Sequence, residues 1–428
     1  MRMSRSLLIA AAVLLPAWQA TAAVLGPSIE VPVEWVWIRD PRTRALVKVS
    51  PLRDFAVASN GTDFFVAWRQ RALAGTVGPS GEPPRTARAG VFGARIDAAG
   101  NLLDAVPIAL PLAGVERSFS DLSNQWLAFA ESSDSYLACS DGCARVDSCG
   151  ALLDANPIEF PSGGLPSSGM PVVVSDGEDH FVLLGNEMFF VGPEATVVSH
   201  PLAFSIGSVA SDGNNFLNVT RTGITSFDSH GGTLNAAALP FQASKQPAVT
   251  FDGDDYLILW AGIGPDGAGK YVTRASSEGE PLGTSARLAL PDVRGGVFDL
   301  GFRISFDGMN AVATWCDVCT QTMNEAPIAV IQAEDSVIAT QVDTAGPLLR
   351  ALAVASNSDG VSIVVVDGFK PWLPSPALNS FFPVVQFVTT TPERDRQDGK
   401  GDVAARKTRG HGRGKKCDGR GNQSESLR

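Results

Sequence analysis

Six cysteines, four histidines and a series of acidic Asx-Gly turns are the residues of this 428-residue chain whose types and spacing could do chemistry. Cys139 and Cys143 flank Ser140-Asp141-Gly142, a turn short enough to bring two sulfurs within bonding distance. Cys316 and Cys319 stand just past Trp315. The expectation is two local disulfides, Cys139–Cys143 and Cys316–Cys319, with Cys149 and Cys417 free, joined to each other or joined to another molecule. Redox catalysis by the Cys-x-x-Cys lacks a βαβ context, and a four-cysteine zinc site would need distant repeats to meet. His180 occupies a slot held elsewhere by Phe64, Phe216 and Tyr256, and His200, His230 and His411 lie in or beside turns or in a basic tail. No HExxH motif or spaced Ser/His/Asp set is present, and no cofactor or metal site is expected. The acidic turns Asp176-Gly177-Glu178-Asp179 and Asp252-Gly253-Asp254-Asp255 invite a calcium reading, but they lack a long ligand series with a closing Glu.

The acidic turns recur, and the recurrence shows what must position them. Asn60-Gly61, Asp176-Gly177, Asp212-Gly213, Asp252-Gly253, Asp307-Gly308 and Asp359-Gly360 each stand at a strand boundary, most of them ahead of an aromatic-aliphatic strand, with a degenerate copy at Ser123–Leu127. Asn/Asp-Gly supplies the positive φ of a tight turn, which is a structural role. Trp68, Trp260 and Trp315 each fall seven residues after their glycine. A second phrase follows the first: residues 93–108 and 143–158 are identical at ten of sixteen positions without a gap. Weaker copies lie at 226–234 and 341–349. Each reads as strand, Gly-bearing turn, strand.

Two hairpins per unit, seven times over residues 24–390, predict an all-β chain: a β-propeller of about seven four-stranded blades. The last unit is short of a hairpin, and Val33–Arg39 with Arg44–Val49 is a spare one at the other end. Joining them is expected to complete the last blade and remove exposed edges. Gly 43 and Pro 28, with only 18% charged residues, fit such a turn-rich protein.

These phrases resemble a class of exported bacterial repeat proteins whose units read Asp-Gly-x-x-Tyr-Leu-Val-Val-Trp and then Gly-x-Arg-Val-x-x-x-Gly-x-x-Leu-Asp. The resemblance covers about residues 55–366. It implies propeller-like architecture and export, and no particular activity. The third unit departs from it, with Leu184 in the Trp slot and no Arg-Val-Asp strand.

Export is also expected from residues 1–22. Arg2 and Arg5 precede the apolar run Leu7–Leu15, and Ala20-Thr21-Ala22 offers a cleavage site. Pro16 interrupts that run, and no later stretch approaches membrane-spanning length, so no membrane span is expected in the mature chain. The expected location is periplasmic, extracellular or at the cell surface.

Charge is unevenly distributed. Residues 391–428 hold 11 Lys and Arg against 6 Asp and Glu, a net of +5, and read as a disordered basic tail. Residues 24–390 hold 21 basic against 39 acidic residues, a net of −18. Such a body repels nucleic acid and anionic lipid. The expected function is an exported, monomeric, non-catalytic binding or scaffold protein with an unknown protein or polysaccharide ligand. One alternative is a secreted hydrolase or lyase acting on polysaccharide at the propeller channel. The other is a calcium-stabilised structural repeat.

Overall fold

The computed structural model describes residues 24–39, 46–49, 52–113, 125–161, 171–288, 302–315, 328–332, 337–338, 348–370 and 380–389. Among them there is no helix. Residues 1–22, where a signal peptide is expected, residues 391–428, Cys316, Cys319 and Cys417 lie outside these residues.

The chain opens with β1 (Val24–Glu30), then the hairpin β2 (Val36–Arg39) and β3 (Leu46–Val49). The first large sheet has the order β4 (Leu52–Ser59), β5 (Phe64–Gln70), β8 (Gly90–Ile96), β9 (Ile108–Leu110). The short pair β6 (Leu73–Ala74) and β7 (Thr86–Ala87) extends the loop between β5 and β8. The second sheet is β10 (Leu127–Ala130), β11 (Ser135–Cys139) and β12 (Cys143–Asp147). The third is β13 (Val172–Ser175), β14 (His180–Leu184), β15 (Glu187–Val191) and β16 (Val197–Pro201). The fourth is β17 (Ser208–Ser211), β18 (Asn215–Val219), β19 (Gly223–Asp228) and β20 (Thr233–Ala238).

In the fifth, β21 (Gln242–Ala243) and β22 (Ala248–Phe251) both pair with β23 (Tyr256–Gly264), followed by β24 (Gly267–Ala275) and β25 (Pro281–Arg287). The sixth is β26 (Phe302–Phe306), β27 (Asn310–Trp315), β28 (Ile328–Gln332) and β29 (Val337–Ile338). The last joins β30 (Leu348–Ser356), β31 (Val361–Lys370) and β32 (Ser380–Thr389) to β1. Six of these sheets have four or more strands and one, the second, has three. Bridges Val146↔Leu152 and Cys143↔Ile158 run the chain along β12 where its fourth strand would lie.

The strands within each large sheet pair antiparallel, and the first strand of each packs on the first strand of the next, which is a β-propeller arrangement. The second strands are buried on both faces, and their two-residue period divides them between neighbours. Phe64, Val66 and Trp68 of β5 face the last sheet with Ile363, Val365 and Phe387. Phe65 and Ala67 of the same strand face the second sheet with Trp126 and Tyr136. Trp68, Trp260 and Trp315 are all buried, as their common position in the repeat requires.

Two expectations need correction. The hairpin β2–β3 forms, but as a separate two-stranded sheet; the strand that joins the last sheet is β1, pairing Val24↔Thr389 through Glu30↔Val384. The reason is β32. Residues 380–389 supply a third strand there, so one more strand, not a hairpin, completes the four. The degenerate turn at Ser123–Leu127 is also displaced: Leu127 already begins β10, and the turn of that sheet is Glu131–Asp134. Asp134 itself takes φ 45°, so no glycine marks the place.

Candidate functional site: an acidic face of turns

Among the described residues, the registers place the first-to-second strand turns and the third-to-fourth strand turns on one face of the propeller. In the third sheet, Ser175↔His180 and His180↔Val191 set turns 176–179 and 192–196 side by side. The same holds for turns 212–214 and 229–232 in the fourth sheet, and for 252–255 and 276–280 in the fifth.

The first residue of each turn is consumed by the turn itself. Asp176 Oδ1 accepts the N–H groups of Glu178 and Asp179 at 2.9 and 2.8 Å. Asp212, Asp252 and Asp307 accept equivalent pairs, and Asn60 does so with its amide oxygen. Gly177 and Gly253 stand at φ 97° and 98° with open space where a Cβ would be, so only their backbone conformation demands glycine. In the last sheet the cap is Asn357, whose Oδ1 accepts from Asp359 and Val361, with Gly360 at φ 74°.

Neighbouring turns are stitched together. Glu131 N–H donates to Gly177 O, and Ser132 donates to Glu178 O through both its N–H and its hydroxyl. Ser358 Oγ donates to Gly61 O, and Asn357 Nδ2 to Thr62 O. Just beneath, the third residue after each glycine acts as a rivet between sheets. Phe64 meets Phe387 edge-on at 6.3 Å, Phe216 meets Phe181 at 4.9 Å, and Tyr256 OH donates to Asn215 O.

His180 fills this rivet slot in the third sheet, its Nε2 lying 3.2 Å from Ser135 Oγ of the second. Burial, and then the charge of Arg145, push its pKa down to about 3. Its Nδ1 has no hydrogen-bond partner and Ser135 is sealed. A catalytic serine–histidine pair needs an accessible hydroxyl and an oriented, titratable base. This pair has neither.

Among the described residues, the cations that the registers bring to this face are Arg95, Arg145 and Arg274, and each is neutralised. Arg95 holds Asp104 through Nε and Nη2, the closest contact being 2.7 Å, and reaches Ser148 O of the next sheet. Arg145 repeats this on Asp154, also at 2.7 Å, and reaches Gly192 O and Pro193 O of the third sheet. Arg274 pairs with Asp252 at 2.7 Å and Asp255 at 3.4 Å. The Arg–Asp clasps tie neighbouring sheets together at this face, a role that the turn motifs alone do not announce. Their signal was present: Arg and Asp nine positions apart are among the identities shared by the two repeat copies.

What remains on the described face is unbalanced negative charge: Glu131 and Asp134, Glu178 and Asp179, Glu278 and Glu280, Asp359. Like-charge crowding is already felt there. Burial first, then Asp176 and Glu178, raise the Asp179 carboxyl; burial first, then Asp97, raise that of Asp63. Exposed Arg88, Arg221 and Arg287, and half-buried Arg71, lie at the opposite ends of the strands, interspersed with carboxylates such as Asp141, Glu187 and Asp266, so charge of both signs is mixed there.

No protein-family model and no curated protein matches the chain. Among solved structures, the Pan2 WD40 domain of Neurospora crassa is similar at TM-score 0.40 and 10% identity, over 63% of this chain and 89% of that one. BamB of Moraxella catarrhalis stands at TM-score 0.38 and 12% identity, over 86% and 97%. PorZ, a surface component of the type-IX secretion system of Porphyromonas gingivalis, stands at 0.38 and 12%, over 74% of this chain and 36% of PorZ. Likeness at this level says nothing of partners or chemistry.

The cysteines sit on both faces. Cys139 and Cys143 are disulfide-bonded across the β11–β12 turn, on the face opposite the acidic turns. Cys149, in the turn that follows β12, is also disulfide-bonded. The expected Cys316–Cys319 pair lies outside the described residues. Among the described residues no group of three or more His, Cys, Asp or Glu side chains could hold a metal ion, and no helix is long and apolar enough to cross a membrane.

Proposed function

We propose that this chain is an exported, non-catalytic binding or scaffold protein. Residues 24–390 form a seven-bladed ring closed by β1, and the ring engages a cationic partner through its acidic turn face. Residues 1–22 direct export, in keeping with the exported repeat proteins that the motifs resemble. The Cys139–Cys143 disulfide, which persists in oxidising compartments, supports that placement. The packing of β30 against β4, and the core shared by the first and last sheets, support closure.

The observation that carries the functional reading is the net negative charge of the turn face among the described residues. The arginines of the turn face are spent on internal pairs with Asp104, Asp154, Asp252 and Asp255, and the carboxylates beyond those pairs outnumber them. A rigid ring of short turns with one sign of charge attracts oppositely charged segments and repels nucleic acid and anionic polymers. Because the turns are tied to one another, they need little ordering on binding.

The test is the affinity of the full chain for a labelled oligolysine peptide, followed by anisotropy over a range of salt. Binding should weaken steeply with salt and fall at least about tenfold in a Glu178→Lys/Glu278→Lys variant, while Arg221→Glu leaves it unchanged. Equal affinity in all three proteins would overturn the assignment of the face.

A further inference from the structure

We propose that residues 391–428 of this same chain lie against the acidic turn face, tethered there by a disulfide between Cys417 and Cys149. The proposal rests on the reading of that face as a surface for cations, and it names the first cation that the face meets.

Three observations converge on it. First, Cys149 is disulfide-bonded, and Cys139 and Cys143 are bonded to each other, so its partner is Cys316, Cys319 or Cys417. Cys149 lies on the turn face, two residues past the end of β12. Trp315, which immediately precedes Cys316, ends β27 at the opposite face, because Asn310 at the other end of that strand adjoins the Asp307 turn. The sixth sheet is moreover separated from the second by the third, fourth and fifth on one side, and by the last and first on the other. A disulfide needs Cα atoms within about 7 Å, which leaves Cys417.

Second, the chain leaves the ring on the correct side. Thr389 ends β32 opposite Val361, beside the Asn357–Gly360 turn, so residues 390 onward start from the acidic face. The 28 residues from there to Cys417 span up to about 90 Å when extended, ample to reach the second sheet.

Third, the charges match. Arg406, Lys407, Arg409, Arg413, Lys415 and Lys416 precede Cys417. Around Cys149 the turn face presents Asp147, Asp134, Glu131, Glu178 and Glu194. Covalent attachment holds the basic segment at a high local concentration beside these carboxylates, so that weak, screened attractions suffice.

The bond forms by thiol–disulfide exchange with a disulfide-bearing oxidant of the exported compartment. One thiolate attacks the oxidant's disulfide to give a mixed disulfide, and the second displaces the oxidant's remaining thiol. Two thiols become one S–S bond, and the oxidant leaves as two thiols, carrying both protons and both electrons.

The experiment uses the full chain, alkylated and digested without reduction, with disulfide-linked peptides identified by mass spectrometry. A Cys149–Cys417 peptide is expected beside Cys139–Cys143. Cys149 found alkylated, joined to Cys316 or Cys319, or joined to a second chain would overturn the tether. Docking is read separately in full-length Cys417→Ser by zero-length carbodiimide cross-linking. Lys415 and Lys416 should couple to turn-face carboxylates at low salt, with yield falling at least about tenfold near 0.5 M salt. If that variant binds oligolysine at the turn face yet gives no such cross-links, the tail proposal fails and the face survives. If it gives neither, both fail.

Discussion

His180 makes acid stability the sharpest internal test of the packing between the second and third sheets. Its ring is sealed against Ser135, and its pKa stands at about 3, against 6.5 for an ordinary histidine. Unfolded, the imidazole takes up a proton as pH falls below 6.5; folded, it does not. The folded state is therefore penalised on acidification, with no effect above pH 6.5 and growing loss down to about pH 3. At pH 4.5 the forgone proton binding spans two pKa units, which is about 3 kcal/mol at roughly 1.36 kcal/mol per unit. His180→Phe installs the residue type that Phe64 and Phe216 provide in other sheets, and Ser135 Oγ keeps Ser133 Oγ at 2.8 Å. Asp63 and Asp179, whose raised carboxyls contribute the opposite slope, are common to both proteins and cancel in the difference. Urea unfolding of parent and variant at pH 7 and pH 4.5 should show the parent losing about 3 kcal/mol more than the variant. Equal losses, or an NMR titration of His180 near pH 6.5, would refute the burial argument.

Other outcomes follow from the same contacts. Asp154→Ala strands Arg145 in a pair only 7% and 8% exposed, and should cost about 3–5 kcal/mol in chemical denaturation. Asp104→Ala, at 13% and 13%, should cost less, and equal costs would deny the difference in burial. Removing residues 24–30 should lower the melting temperature severely, whereas excising the β2–β3 hairpin should lower it little; the reverse order would restore the hairpin as the closing element. Gly177→Ala should cost about 1–2 kcal/mol through backbone strain alone, with no change in the turn's hydrogen bonds. Replacing Cys139 and Cys143 together by Ala should cost less than the ~3 kcal/mol of a 15-residue loop.

The repeat was legible because its turns obey a local rule. An Asx side chain caps two backbone N–H groups, a glycine supplies positive φ, and both marks lie within four residues. Where another residue does the same work, as Asp134 does, the mark vanishes and the position was misread. The closing strand was hidden for a different reason. Val24–Glu30 pairs with Ser380–Thr389 across nearly the whole chain, and neither carries a turn signature that would announce its partner. The acidic face was half legible. Its carboxylates were visible as turn residues, but their excess over the paired arginines depends on which strand ends share a side, which only the registers give. The Arg–Asp clasps lay in plain view as repeat identities. Their partners in the next sheet, Ser148, Gly192 and Pro193, required the packing.

The central claim is that the turn face is the working surface. Hydrogen–deuterium exchange of full-length Cys417→Ser, in which the tail is not covalently held on the face, with and without saturating oligolysine, addresses it most directly. Protection should appear in peptides spanning turns 131–134, 176–179, 252–255 and 276–280, and be absent from those spanning the opposite loops at 141–142, 220–222 and 264–267. Protection confined to the opposite loops, or none at saturation, would contradict it.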